Sequence, residues 1–212
     1  MKGNIKKLAV FVIMAVGVMF IPVAMASADD HHDHHWKSTL HGEYAFTGTT
    51  SCLVSNLGFN PNLTPKQGGI VYYNSHSARG FMNFNRDGTG TFETEVAVFI
   101  VPPPAPGAPG PAVPIAGSFK TSAQFTYNIT DGDIVTIELV PGTWVSTFLT
   151  GPIPAGTTTS VDQWSLSGTV SADHNTLTLG SGGTVVETTT NSLGAVFYQI
   201  CHRSSVLIRV DE

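Results

Sequence analysis

The 212-residue chain carries 10 Lys and Arg against 15 Asp and Glu, a formal charge of −5, with 12% charged residues, 22 glycines and 13 prolines. An acidic balance of this kind excludes the broad basic surface that nucleic acid or anionic lipid would need, so no nucleic-acid partner is expected. The length suits a single domain with a sizeable core.

At the amino terminus Lys2, Lys6 and Lys7 precede an uncharged apolar run from Leu8 to Met25, and Ala26-Ser27-Ala28 then stands before Asp29-Asp30. This is the order of a secretory signal peptide over residues 1–28, with cleavage expected after Ala28. A retained anchor is the competing reading, since about 18 apolar residues can just span a bilayer. Pro22 and the small-residue site argue for cleavage, so export to the periplasm or the extracellular space is expected, without stable membrane insertion afterwards. Loss of the three lysines leaves seven basic residues against 15 acidic ones.

Residues 29–38 read as a flexible His/Asp-rich arm with little to bury. Asp29, Asp30, His31, His32, His34 and His35 offer carboxylate and imidazole ligands of the kind that suit Zn, Cu(II) or Ni(II). Cleavage after Ala28 would also leave a free amine, two backbone amides and the His31 imidazole in the order needed for a square-planar Cu(II) or Ni(II) site. That order resembles the amino-terminal copper- and nickel-binding motif of some secreted proteins.

From residue 39 to the end the governing signal is alternation with a period of two. Phe119, Thr121, Ala123, Phe125, Tyr127 and Ile129 share one face, while Ser118, Lys120, Ser122, Gln124, Thr126 and Asn128 share the other. Phe92, Val96, Val98 and Ile100 mark another such face, as do Val135, Ile137 and Leu139, and then Trp164, Leu166 and Val170. Asp87-Gly88, Asp131-Gly132, Pro141-Gly142 and Asp173-His174-Asn175 supply turn chemistry between them. Strands are expected near 42–50, 70–75, 79–86, 89–101, 117–129, 133–140, 143–149, 161–170, 175–190 and 195–209. Residues 102–114 hold seven prolines, which cannot donate to a ladder, and must form a loop. This loop is expected to be a stiff hairpin tip, with a recognition loop or a lid at an open barrel end as the alternative, and residues 150–160 are expected at the same end.

Cys52 and Cys201 stand near opposite ends of this domain and are expected to form a disulfide after export. Two free thiols are an alternative. A nucleophilic Cys201–His202 pair is a poorer one, because neighbours in a strand point to opposite faces. A sheet of about eight to ten strands tends to close or to split into two layers. The cysteine positions favour closure, since adjacent first and last strands would bring the two sulfurs together. The expected fold is therefore all-β: a single antiparallel, closed up-and-down β-barrel, with a sandwich as second choice.

Gly42-Glu43-Tyr44, at the start of the first strand, resembles the Gly-x-Trp signature that opens lipocalin-type (calycin-like) barrels, with tyrosine in the tryptophan position. Arg203 or Arg209 stands where such barrels set an arginine over that aromatic. The resemblance implies a barrel with an internal cavity for a small apolar ligand.

No Gly-x-Ser-x-Gly motif is present, and His76, His174 and His202 have no partner identifiable from spacing. Residues 83–88 echo the start of a calcium loop but read better as a hairpin turn on Asp87-Gly88. Glu93 and Glu95 fall opposite Phe92 and Val96 and are expected in solvent. Trp144, just after Pro141-Gly142, is the candidate for a ligand-binding position at a cavity rim. The functional expectation is a non-enzymatic exported barrel that binds a small apolar molecule or a protein partner at its loop-bearing end. A metal-handling protein using the histidine arm is the alternative, and a barrel-interior isomerase or hydrolase a further one.

Overall fold

In a computed structural model the described residues are 40–103, 113–130 and 133–210. The expected signal peptide and histidine arm lie outside them, as does most of the proline-rich loop. Eleven strands form one antiparallel sheet: β1 (Gly42–Ser55), β2 (Val71–Phe84), β3 (Thr89–Val101), β4 (Ile115–Thr130), β5 (Ile134–Leu139), β6 (Val145–Thr150), β7 (Thr158–Val161), β8 (Ser165–Val170), β9 (Thr176–Ser181), β10 (Val186–Asn191) and β11 (Val196–Arg209). The all-β class and the single antiparallel sheet are as expected, and the strand count is higher by one.

β1 to β4 and β11 are long strands of 13 to 16 residues, and β1 pairs with β11 over the register Tyr44↔Arg209 to Ser55↔Tyr198. The remaining gap, between β4 and β11, is bridged twice. One bridge runs β5-β8-β9 and the other β6-β7-β10, so each completes a ring of eight strands with the same five long ones. We call these the lower and upper tiers. The upper end carries the β1–β2, β3–β4, β6–β7 and β10–β11 connections, so the flanks of the proline-rich segment and the 151–157 loop do share one end.

Three expected boundaries change. The segments 70–75 and 79–86 are one strand, β2, which runs unbroken through His76, Ser77 and Ala78. The segment 161–170 is instead β7 and β8. Between them the chain steps from upper to lower tier at 162–164, held by Thr188 N donating to Asp162 Oδ1 at 2.7 Å and Gln163 Nε2 donating to Val186 O at 2.7 Å. The segment 175–190 is likewise β9 and β10, stepping back up through Gly182 and Gly183.

Alternation sends one side chain in two inside the ring. In the lower tier these fill the interior: Phe84, Phe125, Tyr127, Ile137, Leu177 and Leu207 belong to one buried cluster, closed below by Leu40 and Tyr44. The Tyr127 hydroxyl donates to Leu40 O (2.7 Å) and Asn85 O (2.6 Å), and the Tyr44 hydroxyl to His174 O (2.8 Å), so the polar tips of the floor are satisfied. Burial, with Asp87 and Tyr44 nearby, pushes the Tyr127 phenol up to about 12, so it stays a neutral donor. Arg209, not Arg203, is the cross-strand neighbour of Tyr44.

Cys52 and Cys201 face each other directly across β1 and β11 and are joined by a disulfide, Cα to Cα 4.1 Å, 149 residues apart in sequence. Cys201 is buried and His202 exposed, which separates the two as alternation requires. Closing so long a loop removes on the order of 5 kcal/mol of unfolded-state entropy in the chain-entropy treatment.

Candidate functional site

Above the aromatic floor the upper tier is not filled. A cavity of about 300 Å³ lies inside it, lined by inward residues of β1, β2, β3, β4, β6, β7, β10 and β11. Its base is an aromatic cluster in which Phe92 stacks on Trp164 (centroids 5.6 Å) and meets Trp144 edge-on (5.3 Å). At the upper end Tyr72 and Phe197 meet edge-on at 6.4 Å, and Ile153 comes in from the β6–β7 connection.

The walls differ in chemistry. β3 and β4 present Val96, Val98 and Phe119, a small apolar cluster joined by Ala78, Ile100 and Phe148. Next to β3, β2 presents Asn74 and His76, and β10 and β11 present Thr189, Gln199 and Arg203, with Glu187 buried against Arg203. Register explains the grouping: Thr50 on β1 lies between Arg203 and His76, so one inward row carries polar groups on three adjacent strands, and in the next row Asn74 stands beside the Cys52–Cys201 disulfide.

Within this corner the two full charges cancel each other. Glu187, 2% exposed, is held by Arg203 through two hydrogen bonds, Nη1 to Oε1 and Nη2 to Oε2, the latter 2.7 Å, and Gln199 Nε2 donates to Glu187 Oε2 at 2.9 Å. Bidentate pairing of this kind is what a buried carboxylate needs. Burial, reinforced by the Arg203 guanidinium, pushes the His76 imidazole down to about 4, so it is neutral at pH 7. Its ring sits edge-on to Phe119 at 5.5 Å. Thr121 Oγ1 and Ser146 Oγ are 2.7 Å apart, and Trp144 Nε1 donates to Ser146 Oγ at 2.9 Å, which satisfies the polar atoms at the base. Two buried polar atoms of cavity-lining residues have no hydrogen-bond partner: Asn74 Oδ1 and Thr189 Oγ1.

Trp144 lines this cavity, but at its base rather than its rim. Asp29, Asp30, His31, His32, His34 and His35 lie outside the described residues. Among the described residues no group of three His, Cys, Asp or Glu is placed to hold a metal ion. Glu93 and Glu95 are exposed on the outer wall, Glu95 pairing with Arg79 (3.2 Å) and Lys120 (3.5 Å). Residues 83–88 form the expected turn, in which Thr89 donates from its backbone to Asp87 Oδ1 at 3.0 Å. Asn74, His76, Glu187, Thr189 and Gln199 were not singled out as a set by sequence. The signal available was parity: each occupies an inward position of its strand yet is polar.

No known protein-family model matches the chain, and no curated protein sequence matches it either.

Proposed function

We propose that this protein is an exported, non-enzymatic β-barrel that holds a small, mostly apolar molecule in its upper tier. The observation that carries the reading is the unfilled interior volume of about 300 Å³, at the lower end of the range for small-molecule sites, with an apolar wall and a few convergent polar groups. Interiors are otherwise close-packed, and the lower tier of the same ring obeys that rule. The outer face supports a barrel in water rather than in lipid: outward positions of β1, β2 and β3 include Thr47, Thr49, Ser75, Arg79, Glu93 and Glu95, where a lipid-facing band would be apolar. The buried disulfide is compatible with an oxidising compartment.

An enzyme working inside the barrel would need a free acid or base beside the ligand. His76 and Glu187 are the ionisable candidates, but both Glu187 oxygens are engaged by Arg203 and Gln199, so Glu187 is not available to act with His76 as an acid–base pair, which favours binding over catalysis.

The test is a fluorescence titration with the neutral apolar probe N-phenylnaphthylamine. One probe per chain is expected to bind, and Val98→Trp, which projects a large ring into the cavity from β3, is expected to weaken binding at least tenfold. Phe99→Ser on the outer face leaves it unchanged. Equal binding by the folded Val98→Trp protein would place the probe elsewhere and sink the reading.

A further inference from the structure

Resting on the cavity reading above, we infer that the ligand is an uncharged molecule with an apolar body and a hydroxyl group, and that the polar corner of the upper tier rejects the carboxylate of equal size. A pocket that takes fatty-acid-like anions needs an unpaired cationic donor facing the ligand. Here the cation of the polar corner, Arg203, is held bidentately by Glu187, and Gln199 supports the same carboxylate. The pair is neutral as a unit, and a second carboxylate entering the cavity would find in its wall a guanidinium whose charge Glu187 already balances. A cationic ligand would face the reverse problem, losing hydration without a free carboxylate to replace it.

What the corner does offer is unmet hydrogen bonding. Asn74 Oδ1 and Thr189 Oγ1 are buried without partners, and each belongs to a side chain lining the cavity. Buried polar atoms are rarely left unpaired, because each has lost its hydration without a hydrogen bond in return. A carboxylate, an acceptor only, cannot satisfy the Asn74 oxygen. A hydroxyl can donate to that oxygen or exchange donor and acceptor roles with the Thr189 hydroxyl, and it carries no charge to desolvate. The rest of such a ligand would lie along Val96, Val98, Ile100 and Phe119, the apolar cluster of the wall.

The experiment displaces N-phenylnaphthylamine from the purified full chain at pH 8 with octanol, octanoate or octane. Octanol is expected to displace the probe at concentrations at least tenfold below octanoate. Asn74→Leu is expected to remove about tenfold of the advantage of octanol over octane, while octane binds as before. Glu187→Gln, which leaves Arg203 unpaired, is expected to raise octanoate affinity toward that of octanol. Octanoate competing as well as octanol against the wild-type chain would overturn this inference while leaving the binding reading intact. Should the probe itself not bind, the reading beneath the inference fails, and the inference with it. If Glu187→Gln does not fold, wild-type selectivity and Asn74→Leu decide the matter.

Discussion

His76 enters the cavity from the middle of β2, edge-on to Phe119 and two strands over from Arg203, with Thr50 of β1 between them. Its imidazole titrates near 4 in the fold, against 6.5 for an ordinary histidine. Between those two values the unfolded chain binds the extra proton and the folded chain does not. This group's contribution is therefore fully present above about pH 7 and is lost as pH falls from about 6.5 to 4, by roughly 3 kcal/mol at about 1.4 kcal/mol per pH unit. His76→Leu removes the titration, so the stability difference between wild type and variant in urea denaturation should shrink or reverse by that amount between pH 8 and pH 4. An identical difference at both ends would show that the imidazole is not buried in its neutral form. At this scale the sequence was least legible. His76 has no spacing partner, because the groups around it arrive from β1, β4 and β11, and Glu187 and Arg203 meet across 16 residues only once β10 and β11 pair. Only the wrong polarity at inward parity, as at Asn74, His76 and Thr189, could have marked the site.

Strands were legible wherever alternation was strong, as in β3 and β4, where inward positions run Phe92, Val96 and Val98, and Phe119, Ala123, Phe125 and Tyr127. Reading broke down at β2 for the reason that makes the site. Asn74 and His76 interrupt the apolar face because that face borders the cavity, so one strand looked like two. β7–β8 and β9–β10 failed the other way, since the steps at 162–164 and 182–185 are too short to break a run of strand-like composition. β2 also holds a position at which only glycine fits. A Cβ on Gly80 would lie 2.0 Å from Glu93 O and 2.7 Å from Thr94 Cα, both backbone atoms that cannot swing away. Gly80→Val is expected to cost about 3 kcal/mol in urea denaturation, and the outward Ser77→Ala less than about 0.5 kcal/mol. A Gly80→Val protein as stable as wild type would mean that β2 and β3 do not approach as described.

Across the whole molecule, closure was legible from two residues. Cys52 and Cys201 near the domain ends implied adjacent first and last strands, and β1 does pair with β11 at that point. The doubled bridge between β4 and β11 was not legible, because nothing local to β5 through β10 says which of two heights on a long strand each will join. That doubling divides the labour. The lower tier closes over aromatic and aliphatic side chains and anchors the ring, while the upper tier, beneath the four connections at its end, keeps the volume in which the ligand is proposed to sit. The disulfide lies at cavity height, linking the two long strands that carry Thr50 and Arg203. The most direct measurement is a crystal of the protein soaked with bromine-tagged octanol, read by the anomalous signal of bromine. The account predicts a single strong peak inside the upper tier, between Phe119 and the Asn74–Thr189 side. A peak confined to the outer wall, or an interior found packed solid, would contradict it.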